Sequence, residues 1–219
     1  MNEYKVLFYY SPEDEAYITC VPELPGCMSD GKTIEDAIEN TRIVANEWIE
    51  TAKETGRVIP SPFFCNIFTH AKSYDIAKYI LQKLGTIKAM ALEKLTYYCK
   101  VWSLTWYGKS LIEDIPEAWT NGPVFPELFF QHQYQKFVSE RDIKSKHLLS
   151  NEEKRFVDMI LDAYHYFDGD ELSKMTHSED PWQKARKGIP SNHLSNEKIT
   201  DAMIIDYYSK CSAVQVVVD

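Results

Sequence analysis

The sequence predicts an α+β chain: a small β-β-β-α unit with room for one closing strand, followed by a mainly α-helical remainder. Three observations carry this prediction. β-prone runs crowd the first thirty residues, the apolar period changes after Thr33 to steps of three and four, and from Ser73 onward the apolar stripes keep helical spacing. A chain of 219 residues suits one large or two smaller domains. The change in grammar places the expected division at residues 1–68 and 69–219.

KVLFYY and AYITCV are the first two strands, separated by Ser11-Pro12-Glu13-Asp14-Glu15, a polar connection of hairpin length. The stretch from Pro22 to Gly31 holds two prolines and two glycines, which forbid a helix and bracket a short third strand around Cys27 and Met28. Thr33 with Asp36 then reads as a helix start. Ile34, Ala37, Ile38, Ala45, Trp48 and Ile49 give that helix one apolar face, and Gly56 stops it. A closing strand is expected near Phe63 to Phe68.

In the second part Ser73 is the expected N-cap of a helix ending at Gly85, and a longer helix runs from about Ala89 to Tyr107, closed by Gly108. Leu92, Leu95, Cys99, Trp102 and Trp106 form its apolar seam. Ser150 with Glu153 opens another helix. Asp168-Gly169-Asp170 breaks it, Asp180 and Pro181 serve as N-cap and first residue of a short helix, and Ile199 to Ser209 supplies the last one. The tail Ala213-Val214-Gln215-Val216-Val217-Val218 is β-prone.

The formal net charge is -9, and residues 1–62 hold twelve acids against five bases. Phosphate binding needs clustered Lys and Arg, and no basic stripe is visible along the chain, so direct nucleic-acid binding is not expected. The five cysteines are odd in number and scattered, without CxxC pairs, which argues for reduced thiols and against a metal clamp. The start MNEYKVLFYYSPEDE lacks a signal-peptide pattern and no run approaches the ~18 apolar residues of a membrane span, so no membrane contact and a cytoplasmic address are expected.

The segment VPELPGCMSDGKTIEDAIENTRIVANEWIE followed by ETGRVIPSP resembles the HicB-like antitoxin domain, a small αβ fold akin to a truncated RNase H. Further on, Leu92-Glu93-Lys94-Leu95-Thr96-Tyr97-Tyr98, then Glu117 to Val124, then Leu172 to His177 with Pro181-Trp182 fall in the order of the Panacea, or SocA-like, antitoxin domain. The two resemblances imply an antitoxin of a type II toxin-antitoxin pair. Its expected partner is a cognate protein toxin, held by the Panacea part, with homo-oligomer formation through the HicB-like part. An adaptor that delivers a bound protein to a protease is the alternative; a hydrolase is the weaker third reading.

The candidate partner-binding or motif residues are Trp119, Thr120, Asn121, Gly122, Pro123 and Val124 in the turn EAWTNGPVFP, with His177, Pro181 and Trp182. Asn121-Gly122 tolerates positive φ, Pro123 fixes the next φ, and Pro126 starts a helix, so the stretch reads as a stiff corner framing a surface. His177 reads as a turn residue whose ring bonds neighbouring backbone. Catalytic, cofactor and metal residues are expected to be none: Cys99 lies on an apolar seam, and the His and Asp residues lack metal-site spacing. Exposed acids Glu35, Asp36, Glu39, Glu47, Glu50 and Glu54 form either a solvated face or a surface that steers a basic partner.

Overall fold

The structure is a computed structural model that describes residues 2–11, 14–60, 71–190, 192–209 and 213–218. The chain forms two compact units, Met1–Phe64 with Ser209–Asp219, and Cys65–Tyr208. The first unit begins with strands β1 (Asn2–Ser11), β2 (Ala16–Cys20) and β3 (Met28–Gly31), followed by helix α1 (Ile34–Thr55). β1 and β2 pair antiparallel from Leu7 opposite Cys20 to Ser11 opposite Ala16, and β3 pairs with β2 from Cys20 opposite Met28 to Tyr17 opposite Gly31.

The PELPGC stretch closes on itself between β2 and β3. Val21 N donates to Cys27 O at 3.0 Å, Cys27 N donates to Leu24 O at 2.9 Å, and Gly26 takes φ 80, a value costly for any side chain but glycine. A second glycine sets the packing of the helix on the sheet. A Cβ on Gly31 would overlap the backbone of Asp36 and Ala37, so the first turn of α1 lies directly on the end of β3. Thr33 caps that turn by accepting from Asp36 N at 3.1 Å, and Gly56 ends the helix at φ 67. Tyr4, Val6, Val21, Leu24, Cys27, Ala45 and Ile49 form the core of this unit. The six acids named for the outer face of α1 are all exposed.

The second unit opens with α2 (Ser73–Leu84), the short strand β4 (Ile87–Lys88) and α3 (Ala89–Tyr107). β5 (Glu117–Trp119), β6 (Gly122–Val124), α4 (Pro126–His132) and β7 (Phe137–Val138) follow. After a 3-10 turn at Glu140–Asp142 come α5 (Asn151–Tyr164), α6 (Gly169–Ser178), α7 (Asp180–Ala185) and α8 (Asp201–Tyr208). α3 is the axis. Fifteen of its nineteen residues are buried, so the apolar seam read from the sequence is one side of a helix enclosed all round. α6, α8, α2 and α5 pack about it.

Two caps differ from the sequence reading. The N-cap of α2 is Lys72 and not Ser73, which is the first helical residue: Asp75 accepts from Lys72 N at 2.8 Å while Ser73 turns its hydroxyl to Asp114 at 2.6 Å. α7 is capped by Glu179, with Asp180 first and Pro181 second. The Ser150–Glu153 capping box is present as expected, as are the ends of α3.

The tail is the last strand, β8 (Ala213–Val218), and pairs antiparallel with β1 from Leu7 opposite Ala213 to Asn2 opposite Val218. The sheet order is therefore β3-β2-β1-β8. The sequence division at 68/69 keeps the tail with the helical part; the pairing of β8 returns it to the first unit. The strand expected near Phe63 to Phe68 lies outside the described residues.

Candidate functional site

EAWTNGPVFP folds as a hairpin, not a corner between helices. β5 and β6 pair with Trp119 opposite Gly122, which leaves Thr120-Asn121 as a two-residue connection and Asn121 exposed at the tip. Gly122 carries the positive φ, at 102. Its missing side chain also admits a neighbour: a Cβ there would sit 2.6 Å from Lys94 Cε and 2.9 Å from Thr176 Oγ1. Through this gap Lys94, fully buried on α3, reaches the hairpin and donates from Nζ to Pro123 O at 2.9 Å. Burial lowers the Lys94 pKa to about 8, against the pull of neighbouring Glu93. Pro126 starts α4, as its fixed φ favours.

Glu93, one residue earlier, is buried too. Its carboxylate accepts from Phe125 N at 3.0 Å and meets His132 Nε2 at 2.9 Å, tying α3 to the exit of the hairpin and the end of α4. From the other side the α6–α7 pair grips the hairpin. Trp182 Nε1 donates to Trp119 O at 2.9 Å, Ser173 Oγ donates to Asn121 O at 3.0 Å, and the His177 ring lies over Trp182 with centroids 4.1 Å apart. His177 sits in the last turn of α6 instead of a loop. Burial and the cations Lys94 and Arg186 lower its pKa, so the ring is neutral near pH 7; its Nε2 is buried without a hydrogen-bond partner among the described residues. Pro181, in the first turn of α7, is buried.

Arg186 completes the grip. Its guanidinium donates to Ala118 O at 2.8 Å, Pro190 O at 3.0 Å and His193 O at 2.7 Å, and stacks over Trp182 at 5.2 Å. All nine candidate residues therefore meet in one assembly: hairpin, end of α6 and start of α7. Glu93 and Lys94, part of the Leu92–Tyr98 motif, join them, as does Arg186, though none of the three is a candidate site residue from the sequence.

The assembly walls a cavity of about 610 Å³. Trp119, Thr120, Asn121 and Val124 line it from the hairpin, Phe129 from α4, and exposed Leu194 from the segment that Arg186 holds. Its walls are mainly apolar, with Glu93, Lys94 and Glu117 as charged groups, and the Trp119 indole is fixed by donating to Glu117 at 2.8 Å. This is a shape for holding a side chain or small apolar group. Nucleophilic chemistry finds no support in Cys99, whose fully buried thiol is pushed well above its ordinary pKa, leaving very little thiolate. Among the described residues no group of three or more His, Cys, Asp or Glu side chains is placed to hold a metal ion, and no helix is long and apolar enough to cross a membrane.

The chain thus joins a small sheet-and-helix unit to a mainly helical unit that carries the hairpin, and comparison with known families finds a match for each part. Residues 4–94 match the HicB_like antitoxin of bacterial toxin-antitoxin systems, and residues 92–183 match the Antitoxin SocA-like, Panacea domain. UPF0150 protein ssl0259 of Synechocystis is 33% identical over 58 residues, which are 26% of this chain and 78% of that protein. UPF0150 protein Ta0767 of Thermoplasma acidophilum is 37% identical over 59 residues, 27% of this chain and 86% of that protein. The chain belongs to the UPF0150 family through its N-terminal part, and carries a HicB-like antitoxin domain followed by a SocA-like Panacea domain.

Proposed function

We propose that this chain is the cytoplasmic antitoxin of a type II toxin-antitoxin pair, and that its Panacea domain binds a protein toxin directly and blocks it by occlusion, without catalysis. The matches to two antitoxin families in one chain support the role. The place of contact rests on one observation: the hairpin tip at Thr120-Asn121 stands on a framework fixed from three sides and opens onto the apolar cavity beside it. A surface already ordered loses less entropy when a partner docks, and an aromatic-walled pocket is the usual seat of an interface anchor. The HicB-like domain, on this reading, pairs subunits.

The test is co-expression with the protein encoded in the adjacent reading frame. The neighbour should arrest growth alone, be harmless beside this chain, and co-purify with it. Asn121→Arg, at an exposed tip, should keep the fold yet lose co-purification and rescue. A neighbour that is harmless alone, or toxic still beside the intact chain, ends the proposal; a faster turnover of the toxin in the presence of this chain turns it toward delivery to a protease.

A further inference from the structure

The second unit holds a basic groove to which two stretches of the chain contribute cations, Lys72 to Lys78 and the run from Arg141 to Lys146. Lys72 reaches it from the N-cap of α2 and Lys78 from the helix itself, Arg141 from the 3-10 turn, and Lys144 and Lys146 from the irregular stretch that follows. The groove has a volume of about 870 Å³ and includes one carboxylate, Asp75, whose oxygens are occupied by Lys72 N and the Ser145 hydroxyl. Lys72 is neutralised by Glu113 at 3.0 Å and Asp114 at 3.1 Å. Lys78, Lys144 and Lys146 hold no ion pair among the described residues, and Arg141 adds a fourth cation beside Asp142. In a protein of net charge -9, a groove holding three lysines without an ion pair among the described residues, with Arg141 beside them, is a local reversal of charge.

The groove is also built. Gln131 clamps Lys144 by its backbone, accepting from Lys144 N at 2.6 Å and donating to Lys144 O at 3.4 Å, while Ile143 is buried beneath and Ser145 is tied to α2. The stems of Lys144 and Lys146 therefore leave a fixed backbone two residues apart, about 6.6 Å if extended. This is the scale of the step between successive phosphates of a stretched strand. Tyr74, half-buried in the first turn of α2, contributes a ring to the same groove. Cations that follow a backbone track together with an aromatic platform are the combination that single-stranded nucleic acid uses; a carboxylate-rich peptide has no use for the ring.

We propose that this groove binds a short stretch of single-stranded nucleic acid, with Lys78, Arg141, Lys144 and Lys146 on its phosphates and Tyr74 under a base. A fluorescent thymidine oligonucleotide of about twelve residues, titrated with the full chain from about 50 to 200 mM salt, tests it. Four phosphate contacts to a single strand predict a slope of log affinity against log salt near -3, at about 0.7 per contact. The double variant Lys144→Glu, Lys146→Glu should weaken binding at least tenfold and halve that slope. Tyr74→Leu should weaken binding by about fivefold or more at unchanged slope. Lys53→Glu with Arg57→Glu, exposed residues of the first unit, should change neither, and circular dichroism verifies that each variant is folded. No binding at the lowest salt, or equal loss in the Lys53 and Arg57 variant, overturns the proposal. So does displacement by a polyglutamate peptide as effective as unlabelled oligonucleotide with Tyr74→Leu silent, which would make the groove a site for acidic polypeptide.

Discussion

Lys94 and Pro123 are joined by a hydrogen bond of 2.9 Å that runs from the middle of the central helix into the hairpin, with the lysine nitrogen enclosed by protein. The lysine is held below its ordinary basicity: its pKa falls from 10.5 to about 8 because burial penalises the ammonium more than Glu93 favours it. A cation with a lowered folded-state pKa weakens the fold fully below that value. As pH rises from 8 toward 10.5 the folded protein sheds the proton while the unfolded chain keeps it, so stability rises. The unfolding free energy of the native chain relative to Lys94→Met should therefore grow by roughly 3 kcal/mol over that window. Urea unfolding of both proteins at several pH values measures the difference; a difference that stays flat would mean that Lys94 is not buried as a cation.

Gly122→Ala attacks the same contact from the hairpin side. The φ of 102 is strained for alanine, and the new methyl would press on Lys94 Cε and Thr176 Oγ1. Backbone strain and overpacking together are expected to cost about 2–4 kcal/mol. Chemical denaturation reads this directly, and an alanine variant within about 0.5 kcal/mol of the native protein would contradict the close approach.

Thr33→Ala separates local capping from tertiary packing in the first unit. Thr33 is exposed and accepts from Asp36 N, so its removal should cost about 1 kcal/mol, with Thr33→Ser nearly silent. Thermal unfolding followed in the far ultraviolet compares the three; equal loss in Ala and Ser variants would place the effect outside the cap.

Such caps were legible in the sequence because they depend on neighbours three residues apart: Thr33 with Asp36, and Ser150 with Glu153, were named at their positions. The strands β4 to β7 were not, since elements of two or three residues carry no readable period. Residues Trp119 to Val124, His177, Pro181 and Trp182 were named from motif order, and they meet in space. Their partners Glu93, Lys94 and Arg186 were missed because charged residues are by default assigned to solvent. One signal was available. Between Ala89 and Tyr107 the only charged residues are Glu93, Lys94 and Lys100, too few to make a solvated face on a nineteen-residue helix, so at least some had to be buried. The basic groove left only a short signal, Arg141, Lys144 and Lys146 within six residues; Lys72 and Lys78 become their neighbours only on folding.

Arg186→Lys tests whether geometry or charge holds the hairpin to the segment behind it. The guanidinium serves three carbonyls in different directions and stacks on Trp182, whereas an ammonium on a shorter reach can serve one or two. A loss of roughly 2–4 kcal/mol is expected, since buried carbonyls are left without donors. Faster amide exchange confined to the hairpin and to Asn192 and His193 should accompany it. A lysine variant as stable as the native protein would show that a positive charge alone is sufficient.

Glu179 supplies a pH dependence opposite in sign to that of Lys94. Its carboxylate lies between the hydroxyls of Tyr98, at 3.0 Å, and Tyr208, linking the start of α7 to α3 and α8. Burial raises its pKa from 4.5 to about 7, and the two tyrosine donors only partly offset this. Between these values the folded protein binds a proton that the unfolded chain releases, so stability falls as pH rises and the penalty is complete above about pH 7. Relative to Glu179→Gln, which has no proton to lose, the native chain should lose roughly 3 kcal/mol between pH 4.5 and 7. Denaturation of both chains across that range gives the difference, and Tyr208→Phe, by removing one donor to the carboxylate, should move the midpoint of the change to higher pH. A midpoint that moves downward in that variant would mean that Tyr208 does not stabilise the ionised form.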